Sequence, residues 1–243
     1  MADYNLFQKF LNKRTKTPGG LNSPAFEMDR SGKWNLTPVT QDVLSVIRSA
    51  PGGQNFDVQP MPAPAAINGI GQWGSGGGYY SPGTNQTYVD PLMGSTLTAA
   101  HEAGHAAFPS SFIKQYESGN LNFATNPAKL NRDSGQEMMY ASQFTRPIMI
   151  EEANAQGIAY GAIDRVNPSL RADEYTQGWS GGPLQYPGTY NLGGMFDSIM
   201  PEYAKNKMGP PSPSEITVLR KSIRNSIPMM ERQFKKAYNL MNP

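Results

Sequence analysis

Apolar and polar positions along the chain change period several times, and each change marks an element. Val43, Leu44, Val46 and Ile47 recur at helical spacing behind Thr37-Pro38, a cap residue followed by proline at the first helical position. That predicts a helix from Pro38 to the stop at Pro51-Gly52-Gly53. Between 54 and 93 the period shortens to two. Phe56-Asp57-Val58-Gln59 alternates, Gly78-Tyr79-Tyr80 and Thr87-Tyr88-Val89 are rich in β-formers, and Ser81-Pro82-Gly83-Thr84-Asn85 supplies a turn between the last two. Ser95 opens a second helix that runs through Phe108 and ends at Pro109. Residues 110–147 are polar and irregular, with a helical turn around Gln136 to Phe144. Ile148 to Asp164 is strongly helical and built from small residues. Residues 165–213 are rich in Gly, Pro, Tyr and Asn and read as loops with short helices, and Ser214 to Leu240 closes as a helix, kinked before Pro228.

This order predicts an α+β chain in three parts. Residues 1–33 form an N-terminal arm with the basic run Lys9-Phe10-Leu11-Asn12-Lys13-Arg14-Thr15-Lys16. Residues 34–165 form the core, and 166–243 a loop-rich, helical extension packed on it. Composition narrows the functions. The net charge is +2 and only 16% of residues are charged, below the roughly 25% of ordinary soluble domains, so bulk charge selects no nucleic acid. The chain has no cysteine, which excludes a disulfide scaffold, a Cys-based zinc finger, an iron–sulfur centre and a thiol nucleophile. No run approaches the ~18 apolar residues of a membrane span. Asp3, Asn5, Gln8 and Lys9 break any signal-peptide core near the start. The expected location is cytoplasmic, or a virus particle assembled in the cytoplasm.

Only two histidines occur, and they stand in His101-Glu102-Ala103-Gly104-His105, the pattern H-E-x-x-H. Positions i and i+4 of a helix share a face, so both imidazoles can reach one metal ion, while Glu102 lies about 100° round, where a water-activating base belongs. A hydrolytic zinc ion takes three protein ligands and keeps a position for water. With no third histidine, a carboxylate must complete the set.

The stretch around this motif resembles a zincin metallopeptidase, over roughly residues 75–165. Glu151-Glu152-Ala153-Asn154-Ala155-Gln156-Gly157 is similar to the E-x-x-A-D/N stretch of the gluzincin branch found in HtpX-like and IrrE/ImmA-like minimal peptidases. The resemblance implies a zincin-like fold. In such a fold a small mixed sheet lays an edge strand over the motif helix, and a second helix brings a glutamate. It implies Zn²⁺ on His101, His105 and Glu152, with Glu151 the alternative ligand, Gln156 supporting the ligands where the family has an acid or Asn, and Glu102 the general base. The substrate is then a protein or peptide, held at the edge strand by Tyr79 and Tyr80. Small residues on both helices (Ala99, Ala100, Ala103, Gly104 and Ala107; Ala153, Ala155, Gly157, Ala159 and Gly161) permit the close approach such a ligand set needs. Tyr140, Tyr160, Tyr175, Tyr186, Tyr190 and Arg146 are candidates for stabilising an oxyanion.

Two other matches fail on context. Gly178-Trp179-Ser180-Gly181-Gly182 fits the nucleophile elbow, but Pro183 follows and both histidines sit in the metal motif. Gly69-Ile70-Gly71-Gln72-Trp73-Gly74 fits a dinucleotide loop, but Ser75-Gly76-Gly77-Gly78 stands where a helix must start. Low charge and abundant Gly, Pro, Asn and Gln also suit a different function, a structural or assembly protein of a phage particle with neighbouring subunits.

Overall fold

The computed structural model describes residues 23–62, 78–81, 84–92, 94–109, 134–167 and 212–243. They build a mixed α and β fold from two small sheets and four helices. A hairpin comes first: β1 (Phe26–Met28) pairs antiparallel with β2 (Trp34–Leu36), Phe26 opposite Leu36. Its turn is organised by Asp29, which accepts hydrogen bonds from the Ser31 hydroxyl, the Lys33 N–H and Asn35; these hold its carboxyl well below the usual range. Residues 23–33 therefore belong to the body of the protein, not to an arm. Ala25 and Phe26 are buried, and Ala25 and Thr96 donate main-chain N–H groups to Gly94 and Ser23. Strands of three residues are too short to display alternation, which is why the pattern hides them. The remainder of the expected arm, 1–22 with its basic run, lies outside the described residues.

Helix α1 (Pro38–Ser49) buries Thr40, Val43, Leu44 and Ile47. Thr37 occupies its N-cap without capping it. The Thr37 hydroxyl instead donates to the Pro24 carbonyl and meets Thr40 Oγ1 at 2.8 Å, and Thr40 in turn meets Thr96 Oγ1 at 2.8 Å. A chain of buried hydroxyls thus ties hairpin, α1 and the next helix together.

The second sheet joins β3 (Asp57–Pro60), β4 (Gly78–Ser81) and β5 (Gln86–Val89) in the order β3-β5-β4. β3 runs parallel to β5 and β4 antiparallel, so the sheet is mixed and β4 lies at its edge. The turn into β5 places Asn85 at φ 50, in the left-handed region that Asn tolerates. Its side chain is pinned from both ends, accepting from the Tyr80 hydroxyl and donating to the Asn55 carbonyl.

Three further helices stack beside the sheet. α2 (Thr96–Ala107) starts at a capping box of Ser95 and Thr98, α3 (Ser134–Val166) spans 33 residues, and α4 (Pro213–Met241) starts at a capping box of Ser212 and Glu215. The predicted separation of a turn at 136–144 from a helix at 148–164 is corrected: α3 runs through Pro147 without ending, as α4 does through Pro228. From Ala153 to Asp164 every residue of α3 is buried, because α2 and α4 pack on it from different sides. The small residues of α3 serve two neighbours. A Cβ on Gly104 of α2 would stand 3.0 Å from the main chain of Ala155, whereas Gly157 and Gly161 abut the main chain of α4 at Phe234 and Tyr238. Gly157 and Gly161 therefore do not face the motif helix, as the sequence reading has them; residues i and i+4 share a stripe, and theirs is turned to α4. Among the described residues no helix is long and apolar enough to cross a membrane.

Candidate metal centre

The α2–α3 contact brings the chemistry of the chain together. α2 presents His101 and His105 one turn apart, and α3 presents Glu151, Glu152 and Gln156 opposite them. The Nε2 atoms of the two imidazoles stand 3.2 Å apart. Glu152 reaches both, with Oε2 at 3.1 Å from His101 Nε2 and Oε1 at 3.7 Å from His105 Nε2. His105 is buried, while the Glu152 side chain keeps 28% exposure, so the cluster opens to solvent on the Glu152 side.

The other ring nitrogens settle the tautomers. His101 Nδ1 lies 2.8 Å from Gln156 Oε1, and His105 Nδ1 lies 2.9 Å from Glu151 Oε1. An amide or carboxylate oxygen only accepts, so each Nδ1 donates its hydrogen backward and each Nε2 faces inward, the atom that would meet a metal ion. Two imidazole nitrogens and a carboxylate then converge on one point, where a positive charge, a proton or a metal ion, offsets the carboxylate. Two nitrogens at 2.0–2.1 Å from a tetrahedral ion stand roughly 3.3 Å apart, close to the separation found here. The donor set His101, His105 and Glu152 fits a metal ion, and these ligand atoms all lie within 4.8 Å of one another.

Charge points the same way. Burial alone would lower the His105 pKa, but the Glu151 hydrogen bond and the charges of Glu152, Glu151 and Glu102 raise it to about 9. Burial would raise Glu152; the hydrogen bond from His101 and the positive charges of His105 and His101 bring it to about 2.

Glu102 stands beside the trio, not in it. Its side chain lies under β4: a Cβ on Gly78 would sit 3.0 Å from its Cγ, and the main-chain N–H of Tyr80 bonds its carboxylate. Burial pushes the Glu102 carboxyl up, against the opposing pull of both imidazoles and the Tyr80 N–H, with the charge of Glu152 adding to the rise.

No protein-family model, no curated protein and no solved structure matches the chain. The geometry of the site is therefore what carries its reading.

Of the residues singled out from the sequence, His101, His105, Glu152 and Glu102 meet in one place. Glu151, the alternative ligand, faces His105 Nδ1 and orients that ring instead. The two tyrosines part. Tyr80 points toward α2, its ring 6.5 Å from that of His105 and nearly parallel to it, whereas Tyr79 stacks on Tyr88. Alternation explains this: Gly78, Tyr80 and Thr87 share the helix-facing side, and Tyr79 and Tyr88 share the other. Tyr160 packs against Phe234 in the core and offers nothing to a substrate. The side chains of Arg146 and Tyr140, with Tyr175, Tyr186, Tyr190 and both discounted glycine motifs, lie outside what the structure describes.

Sequence reasoning misses Asn154. Its Nδ2 donates to the Phe108 carbonyl at the end of α2, and its Oδ1 accepts from Gln233 of α4. One buried amide thus links three helices, two residues from Glu152. The orphan main-chain carbonyl at a helix end was the available signal.

Proposed function

We propose that the chain is a zinc-dependent peptidase of zincin-like architecture, with His101, His105 and Glu152 holding the metal. The observation that supports this reading is the pair of inward-turned Nε2 atoms beside Glu152, each ring fixed from behind, with a further carboxylate held outside the trio. Such a centre, when loaded, supplies a Lewis acid and a more acidic water. Glu102 accepts a proton from the attacking water and returns it to the departing amine; its elevated pKa suits both halves of that exchange. The Tyr80 N–H holds the Glu102 carboxylate in place. β4, as an edge strand, offers main-chain groups along which an extended peptide aligns. Glu152 and Glu102 thereby divide the work that two carboxylates could otherwise share.

Elemental analysis of the purified protein and two variants tests the assignment. Wild type is expected to carry one zinc per chain. Glu102→Gln keeps the zinc and loses cleavage of an unfolded protein substrate, and Glu152→Ala loses the zinc. Full zinc occupancy in Glu152→Ala overturns the ligand set. A protein that takes up no zinc and is recovered only in a large particle favours the assembly function instead.

A further inference from the structure

The near-neutral total of the chain hides a local separation of charge. α4 carries Arg220, Lys221, Arg224, Arg232, Lys235 and Lys236 against only Glu215 and Glu231, while the whole chain carries +2. Glu215 is buried in the capping box, so Glu231 is the one carboxylate among the exposed residues of this helix. All six cations are exposed. At 100° and 1.5 Å per residue they fall within about 160° of the circumference and along about 24 Å of axis. The opposite face is buried through Leu219, Ile223, Met230, Ala237 and Met241, with Ala237 and Met241 set against Gly157 and Gly161 of α3.

We propose that this exposed face of α4 is a docking surface for nucleic acid, held through its phosphates. The placement of the cations carries the inference. A face made merely for solubility alternates sign, with Glu four residues ahead of Lys. Here one such pair occurs, Glu231 and Lys235, against three like-charged neighbours three or four residues apart: Lys221 with Arg224, Arg232 with Lys235, and Arg232 with Lys236. Each like-charged pair costs the helix about 0.2–0.5 kcal/mol, a loss that a polyanion reverses. Half of the six are arginines, whose forked donors match phosphate oxygens. Asn225 stands between them and Asn239 just beyond Lys236, both exposed and able to hydrogen-bond a sugar–phosphate backbone. A lipid surface fits less well: the apolar side of α4 is already buried, and the exposed Leu240 stands alone one turn beyond Lys236, not among the cations. This surface is independent of the metal centre.

Fluorescence anisotropy of the full chain with a labelled 25-base-pair duplex of mixed sequence tests the proposal. Binding is expected to be indifferent to sequence and to weaken about 500-fold between 50 and 200 mM salt, the slope of about five phosphate contacts. Arg224→Glu, Arg232→Glu and Lys236→Glu combined should weaken binding at 50 mM salt at least ~30-fold and flatten the salt slope, with circular dichroism and zinc content unchanged. Glu152→Ala should bind the duplex like wild type, whatever happens to its metal. Three results overturn the proposal. They are binding that survives the triple reversal and falls only when Lys9, Lys13, Arg14 and Lys16 are neutralised; equal affinity for polyglutamate; and binding to phosphatidylserine vesicles without binding to the duplex.

Discussion

Glu151 and Glu152 are adjacent, identical in chemistry and different in use, and the difference comes from which imidazole nitrogen each one meets. Glu151 holds His105 by its Nδ1–H, so its loss acts through the ring. Glu151→Gln keeps an accepting oxygen there but removes the charge, and zinc affinity measured by competition with a chelator should fall about 10–100-fold. The same contact makes the metal-free protein sensitive to pH. The His105 pKa is raised from 6.5 to about 9 in the folded state, so its contribution to stability is complete below pH 6.5 and is lost as the pH rises through 9. Thermal melts of the metal-free protein should show Tm declining across that interval, and in Glu151→Gln the decline should be shallower. The motif itself was legible because i and i+4 spacing is a local property of one helix. The role of Glu151 was not, since it depends on where another helix puts it.

Helix against helix, the centre depends on how closely α2 meets α3. Gly104 lies where a Cβ would press on the Ala155 main chain, which cannot give as a flexible side chain would. Gly104→Ala should cost about 1–3 kcal/mol in denaturant unfolding and reduce zinc stoichiometry at the same time. Gly161→Ala, which forces α3 away from α4, should cost a similar amount yet leave the folded fraction able to bind zinc. α1, α2 and the strands of the second sheet could be read from period, caps and turns. The hairpin could not, because three-residue strands have no period. Nor could the orientation of α3 be read: with small residues on every side its sequence marks no single buried face, and its partners decide which stripe turns where.

For the molecule as a whole, the centre is held by an element that contributes no ligand. α4 packs on α3 from Asn154, which it reaches through Gln233, to Arg165. Deleting residues 212–243 should expose the apolar side of α3 and yield a chain that binds 1-anilinonaphthalene-8-sulfonate, retains no zinc after dialysis and shows no cooperative melt. Net charge was a poor guide at this scale, since the basic side of α4 disappears in the sum over the chain. The reliance of the centre on α4 also sets an order in time. Ribosomes add about 5–20 residues per second, so the end of α4 at Met241 is made roughly 4–15 s after the end of α3 at Val166. During those seconds the imidazoles and carboxylates have been synthesised but α4 does not yet pack on α3. The metal-ligating groups are thus in place on the chain before the helix that covers their carrier has been made.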